Sequence, residues 1–424
     1  MSDPTFSPLC PLPTRISFSD EQSMLLDSAV AFCRERSPSL TVRGLLTSDC
    51  GFDRGLWTQI TRLGWNGIAI PERFGGSGLT LGHTALIAEP MGRHLLALPF
   101  LSTQLAIQGL LAGGSEAHQI SWLPRLADGA IGSVAVFEDD GDWDLSRLQA
   151  SATVSGTTAT LHGAKTLVTD GAAADLLLVS VMLDGAPALA VLATAGLAAG
   201  ALQRETIIDE TRRSYRLTLD GLTLPADALI TGDAARAALA AIQRAGWLLA
   251  AAEAAGGIAG VLDLVVDYLN TRSTFGRKIG SYQGLKHPAA DMLIGLERAR
   301  SHVAHAATLL VDAAGAGSDA GASVDATVGT TAGPSPGATA GASAAASPAA
   351  AVDVALRMAK AEAGDSFIFA GDRAVQFHGG FGFTYDCDAQ LYLRRALWLQ
   401  PWFGDAAHQR QQLADALWPL AAAA

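Results

Sequence analysis

Apolar residues recur at helical spacing over the first third of the chain, shift to short runs in the middle, and return to helical spacing afterwards. Residues 1–16 form a loose, Pro-rich lead. Ser19-Asp20-Glu21-Gln22 then offers a capping box, in which the Ser19 hydroxyl takes the Gln22 N–H and the Gln22 side chain returns the bond. The helix that follows places Leu25, Ala29, Phe32 and Cys33 on one face. Trp57, Ile60, Leu63 and Gly64 predict a short second helix, and Pro71 to Gly78 a loop rich in residues that permit positive φ. Helical spacing runs from Gly82 to about Leu98, with Pro99 helping to end that helix, and continues to about Gly129.

Near Gly132 the period changes. Ser133–Phe137, Thr158–Leu161, Lys165–Thr169, Leu176–Met182, Leu189–Leu192 and Ser214–Leu219 are short, Val- and Leu-rich, and separated by Gly, Asp and Pro, as strands are. Gly185-Ala186-Pro187 is a hairpin connection. From Asp233 the helical period resumes. Ile258, Val261, Leu262, Val265 and Leu269 form one continuous apolar face, and further helices are expected from about His287 to Val311, Val352 to Phe377 and Asp405 to Trp418. The chain therefore divides into a lead (1–16), a helical segment (17–130), a β segment (131–228) and a helical segment (229–424). Residues 313–351 are almost entirely Ala, Gly, Ser, Thr, Pro and Val, and read as a disordered insertion between two helices.

A chain of 424 residues needs more than one core. A net charge of -12 excludes a phosphate-binding surface broad enough for a nucleic-acid partner. Cys10, Cys33, Cys50 and Cys387 show neither metal spacing nor a disulfide framework, which points to a reducing, cytoplasmic setting. The prolines near Met1 interrupt any signal peptide core. The most apolar stretch, Ala234 to Leu269, carries Arg236, Arg244, Glu253 and Asp263, so it reads as a buried helix and no membrane span is expected. His302 and His305 stand at i, i+3, but the surrounding sequence does not complete a metal-binding pattern, and no metal is expected.

The chemistry concentrates in two stretches, Tyr268–Met292 and Val375–Asp386. Arg272, at the end of a long helix, can grip a pyrophosphate with a forked pair of donors. Gln283 supplies an amide, and Gly379 and Gly380 allow backbone to approach a phosphate or ring closely. The plainer alternatives are an Arg272 paired with a surface carboxylate and glycines that stop a helix.

With these residues in view the sequence resembles the acyl-CoA dehydrogenase family over most of its length outside 313–351. The likeness rests on Asp20-Glu21-Gln22, Leu63-Gly64-Trp65, Pro71-Glu72 with Gly75-Gly76-Ser77-Gly78, and Glu89-Pro90-Met91-Gly92. It continues through Gly163-Ala164-Lys165 to Thr169, Asp209 to Arg213, Arg272-x-x-Phe275-Gly276, Gln283, His287, and Gln376-x-x-Gly379-Gly380. The resemblance implies a mainly α fold with a central β domain: a helical N-terminal domain, a β-barrel-like middle domain and a C-terminal four-helix bundle. It implies FAD shared between subunits of a dimer or tetramer. Arg272, Phe275, Gln283, Gln376, Gly379 and Gly380 would line the cofactor, and Thr169 would face the flavin from the β domain. The implied substrate is an acyl-CoA thioester, oxidised to a 2-enoyl-CoA in acyl-CoA catabolism, with an electron-transfer flavoprotein or similar acceptor as redox partner.

The sequence departs from the family where the proton must be taken. The α-proton of a thioester needs a poised carboxylate, yet Phe403 stands where the family's usual Glu would be. The alternative position on the long helix is Gly246. Glu253 lies two turns further on, about 10 Å along the axis. It is a displaced-base candidate, set against a buried carboxylate hydrogen-bonded within the bundle. Asp405 reads as an N-cap. Val136 to Asp140 replaces the family's loop at the start of the β domain, and Leu167 replaces a Trp. Ala250, Ala251, Ala254 and Gly257 are small enough to leave room for a bulky acyl group, or to let helices pack closely. Three functions stay open: an FAD-dependent acyl-CoA dehydrogenase, a non-catalytic or half-site subunit of a hetero-oligomeric one, and a flavin monooxygenase of the same fold.

Overall fold

The computed structural model describes residues 19–319 and 348–418. The N-terminal domain contains α1 (Asp20–Arg36), α2 (Ser39–Leu45), α3 (Arg54–Arg62), α4 (Leu81–Arg93), α5 (Phe100–Gly113) and α6 (Glu116–Ala127). The capping box forms: the Gln22 N–H donates to Ser19 Oγ at 3.2 Å, and the Ser19 N–H to Gln22 Oε1 at 3.0 Å. Ala29 and Cys33 are buried, with Leu25 and Phe32 packed beside them. Pro99 acts differently from expectation. The fourth helix has already ended at Arg93, and Pro99 stands at the N-cap of α5. A residue without an N–H is tolerated there, because a helix start leaves that donor unpaired anyway.

The middle domain holds β1 (Gly132–Ala135), β2 (Ser151–Ser155), β3 (Thr158–His162), β4 (Ala164–Thr169), β5 (Leu176–Leu183), β6 (Ala186–Ala193), β7 (Leu202–Glu205), β8 (Ser214–Thr218), β9 (Leu222–Pro225) and β10 (Leu229–Ile230). One sheet runs β10-β6-β5-β2-β3-β9 with β1 beside β5, and a second runs β4-β8-β7. A bridge from Phe137 to Thr166 links the two into a curled, barrel-like unit. All six expected strands are present. The four others are short; β2 exposes three of its five residues and β7 buries none, so their apolar pattern is weak. The hairpin turn sits one position earlier than expected, at Asp184-Gly185 with φ of 50° and 79°. Positive φ at both central residues is the requirement of a two-residue turn matched to strand twist. Ala186 and Pro187 belong to β6.

The C-terminal bundle comprises α7 (Gly232–Thr271), α8 (Gln283–Asp319), α9 (Pro348–His378), α10 (Ala389–Leu399) and α11 (Ala406–Leu417). A small hairpin, β11 (Ser273–Thr274) and β12 (Arg277–Lys278), lies between α7 and α8. Within the 313–351 stretch, residues 313–319 and 348–351 prolong α8 and α9; the rest, and the 1–16 lead, lie outside the described residues. Asp405 is the expected N-cap, its Oδ1 accepting the His408 N–H at 2.8 Å.

Helix α7 has the length and composition of a membrane span, yet most of it is buried inside the fold. Glycine makes that possible. A Cβ on Gly256 would overlap the Glu89 carbonyl oxygen, and one on Gly92 would overlap the Glu253 carbonyl, so α4 and α7 cross backbone to backbone. The Phe367 ring occupies the space over Gly257, and Ala250, Ala251 and Ala254 are fully packed. The small residues on this helix are filled by its neighbours, which corrects the expectation of room for an acyl group. Buried Lys360 of α9 donates to the Leu399 and Gln400 carbonyls at 3.1 and 2.8 Å, holding the end of α10.

Two outcomes follow from this packing. At an open helical site Gly→Ala gains about 1 kcal/mol. Gly256→Ala instead loses roughly 1–3 kcal/mol through overpacking, seen as a lower urea midpoint, whereas Gly44→Ala, with nothing within 4 Å of its Cβ, loses nothing. Burial pushes the Lys360 ammonium down from 10.5 to about 7, against the pull of Asp405 and Asp365. Between those values the unfolded chain holds the proton that the folded chain has released, so stability rises with pH across that window. Below about 7 both states are charged and the burial penalty is present in full. Lys360→Met removes this slope, measured by comparing urea midpoints of the two proteins from pH 6.5 to 9.5, a span of about three units.

Candidate functional site

Arg272, Phe275, Gly379 and Gly380 line one open cavity of about 830 Å³, with Tyr268, Gly284, His378 and Phe381. The elements explain the meeting. α7 ends at Thr271, so Arg272 projects from its C-cap. α9 ends at His378, and Gly379 adopts φ 58° to begin the turn that follows. Nothing lies within 4 Å of a Cβ built on Gly379 or Gly380, so bare backbone faces the opening. Gln283 begins α8, whose N-terminus presents backbone N–H groups and the positive end of the helix dipole beside Gly284 of the cavity wall. Gln283 and Gln376 are exposed. Among the described residues the Arg272 guanidinium has no carboxylate within ion-pair distance, so the surface-carboxylate alternative is not what the structure shows. Phe275, with φ 53°, is 92% exposed, and Phe381 is half exposed. A free guanidinium, a helix N-terminus, bare backbone and exposed rings suit a ligand that is both anionic and aromatic.

Thr169 lies elsewhere, on β4 and nearly buried, its carbonyl accepting from Ser133 Oγ at 2.5 Å. Leu167, where a Trp was expected, sits at a register shift in the β4–β8 pairing with φ 53° and is 42% exposed. Glu138 in the degenerate loop is committed to the fold. Its Oε1 accepts from Lys165 Nζ at 2.6 Å and from the Ala150 N–H at 3.0 Å, and its Oε2 from the Gln149 N–H at 2.7 Å.

The two positions at which a base was sought touch each other. The Phe403 ring lies directly over Gly246, leaving no space for a Cβ there. Phe137 and Trp402 meet the same ring edge to face, each with centroids 5.0 Å away. Phe403 is 2% exposed and holds φ 58°, a conformation that costs a bulky residue on the order of 1–3 kcal/mol. Its carbonyl is held by Trp247 Nε1 at 2.9 Å and by Gln409 Nε2 at 2.8 Å. Arg357 donates to Gln409 Oε1 at 2.7 Å and lies over the Trp247 ring at 4.1 Å. Side chains from three helices thus fix one aromatic plug.

Glu253 is fully buried and takes guanidinium donors from both Arg212 and Arg395 on Oε1. Arg395 also binds Asp209 and the Thr211 hydroxyl. Arg213 continues the loop into the N-terminal domain, donating to the carbonyls of Leu45, Leu46 and Ser48 at 2.8, 3.0 and 2.7 Å. Nearby Asp170 accepts from Ser102 Oγ at 2.7 Å, and burial pushes its carboxyl upward. Among the described residues Glu253 Oε2 is buried without a hydrogen-bond partner, and with both arginines on Oε1 and no exposure the arrangement favours the packed alternative over a displaced base. His302 and His305 lie on α8, and no group of three metal-binding side chains occurs among the described residues.

Sequence reasoning missed His378, which stacks on Tyr268 with centroids 4.1 Å apart, although it stands between Gln376 and Gly379 in the stretch already singled out. It also missed the arginine cluster, signalled by the doublets Arg212-Arg213 and Arg394-Arg395.

The sequence matches the acyl-CoA dehydrogenase N-terminal domain over residues 19–130 and the acyl-CoA dehydrogenase C-terminal domain over residues 236–329 and 338–418. Acyl-CoA dehydrogenase IpdE2 of Mycobacterium tuberculosis is 30% identical over 89% of this chain and 91% of its own length. Acyl-CoA dehydrogenase FadE12 of the same species is 32% identical over 60% of this chain and 68% of its own. In fold, the chain is similar to one in the ChsE4-ChsE5 complex from Mycobacterium tuberculosis, with a TM-score of 0.79 and 22% identity over 96% of this chain and 100% of that one. Butyryl-CoA dehydrogenase from Megasphaera elsdenii gives a TM-score of 0.77 and 22% identity over 95% of this chain and 99% of its own. The chain belongs to the acyl-CoA dehydrogenase family, whose members are FAD-dependent oxidoreductases.

Proposed function

We infer that this chain is one half of a two-chain, cytoplasmic FAD-dependent acyl-CoA dehydrogenase, in which a partner chain of the same family supplies the base. The observation that carries the reading is the contact of Phe403 with Gly246: both base positions are apolar, and each fills the other. The Arg272 cavity supports the complementary role. Its donor set fits the pyrophosphate and adenosine half of FAD: the guanidinium and the α8 N-terminus meet the phosphates, and bare backbone at Gly379 and Gly380 permits close approach. Phe275, Phe381 and Phe383 stand exposed around or near this cavity, apolar surface that an adjoining chain would cover. The fold relative from Mycobacterium tuberculosis is itself described as a complex of two named chains.

In this arrangement the bound flavin supplies the hydride acceptor for oxidation of an acyl-CoA thioester to a 2-enoyl-CoA. This chain's residues hold and orient the dinucleotide, and Phe403, Phe137 and Trp402 keep water and carboxylates from its own base position. The α-proton leaves to a carboxylate of the partner, and an electron-transfer flavoprotein or similar acceptor takes the electrons onward.

Anaerobic titration with a panel of acyl-CoAs tests the proposal. The chain purified alone should show no substrate-dependent flavin bleaching. Co-produced with a partner dehydrogenase chain that carries the Glu, it should bleach fully, and Arg272→Ala in this chain should cut bound flavin at least about tenfold, the loss of one charge-assisted contact. Bleaching by the chain alone would establish a self-sufficient enzyme and overturn the half-site reading.

A further inference from the structure

We propose that His378 is a positioning residue that selects the adenosine end of the dinucleotide, its Nε2 lone pair accepting a hydrogen bond from an adenosine donor. The proposal rests on the reading of the Arg272 cavity given above. His378 Nδ1 lies 2.7 Å from the Ala374 carbonyl oxygen, one turn back on its own helix. A carbonyl only accepts, so Nδ1 carries the proton, and in that tautomer Nε2 is the acceptor nitrogen. The ring is buried to 5% exposure, stacks on Tyr268 at 4.1 Å with planes 27° apart, and is flanked by Phe381 at 6.4 Å. It is therefore held in orientation by the stack on Tyr268 and the bond to Ala374.

That ring forms part of the cavity wall. Among the described residues Nε2 has no hydrogen-bond partner, and it is not one of the polar atoms sealed away without one. The positively polarised groups of the cavity, Arg272 and the α8 N-terminus, suit phosphate oxygens. They do nothing for the donors at the other end of an adenine nucleotide, which are the 6-amino group and the ribose hydroxyls. A fixed lone pair beside stacked rings meets that need.

The test uses the full chain co-produced with its partner dehydrogenase chain and stripped of flavin, with three nucleotides, ADP, IDP and 2′-deoxy-ADP, and affinities measured by calorimetry. The wild-type protein should prefer ADP to IDP if Nε2 takes the 6-amino group, or to 2′-deoxy-ADP if it takes the ribose hydroxyl, in either case by about tenfold. His378→Phe keeps the stack on Tyr268 and removes the lone pair; it should abolish that preference and leave the weaker nucleotide's affinity unchanged. Equal binding of all three nucleotides by the wild-type protein, or a preference that survives in His378→Phe, overturns the assignment. Arg272→Ala separates this from the cavity reading. ADP binding that is lost in Arg272→Ala but shows no discrimination rejects His378 alone, and ADP binding indifferent to Arg272→Ala, or absent from the wild-type protein, rejects the cavity reading with it.

Discussion

Two guanidiniums share one buried carboxylate, Arg212 and Arg395 on Glu253, and that contact joins the C-terminal bundle to the middle domain, whose neighbouring Arg213 reaches the N-terminal helices. Glu253 belongs to α7, Arg395 to α10 and Arg212 to the loop of the middle domain that Arg213 fastens to the N-terminal helices. With Asp209 and Asp170 close by, the three arginines face three carboxylates. Such a cluster adds little net stability over an apolar core, but removing one member strands a buried charge at about 3–5 kcal/mol. Its effect is geometric: it ties α7, α10 and the loop to one another through Glu253, Arg395, Asp209 and Arg212.

That placement decides what happens at the base position. α10 delivers the chain into the 400–404 turn, where the Phe403 carbonyl is clamped by Trp247 and Gln409 and its ring falls on Gly246. Lys360 closes the end of the same helix. The turn is held by the Trp247 and Gln409 bonds, and it carries an aromatic ring. The Arg272 cavity differs: it is open, its guanidinium is free of carboxylates among the described residues, and rings stand exposed nearby. On the half-site reading proposed above, this molecule closes the substrate half of a flavin site and leaves the dinucleotide half open.

Much of this was legible in the sequence. The capping box at Ser19 and the α7 face through Ile258 and Leu269 follow from local spacing, and the meeting of Arg272 with Gly379 and Gly380 was implied by the family resemblance. Phe403 and Gly246 were each readable as missing bases, but their contact was not, because 156 residues of chain separate Trp247 from its bond to the same turn. The small residues of α7 were ambiguous for a physical reason: glycine permits a ligand or a helix to approach, and only tertiary structure shows that α4 and Phe367 take the space. Glu253 could be weighed from sequence only as a carboxylate; its two arginine partners come from other domains. Pro99 and the Asp184-Gly185 turn were misplaced by residues, since the proline and glycine signals mark a break without fixing which side of it they serve.

The central claim is that this chain provides half of a flavin site, its own substrate half being sealed by Phe403. The most direct measurement is the flavin content of the purified native oligomer, by absorbance after denaturation, against the amounts of each chain. The account predicts two different chains in equal amount and one flavin per pair. One flavin for every copy of this chain in an oligomer made of this chain alone would contradict it.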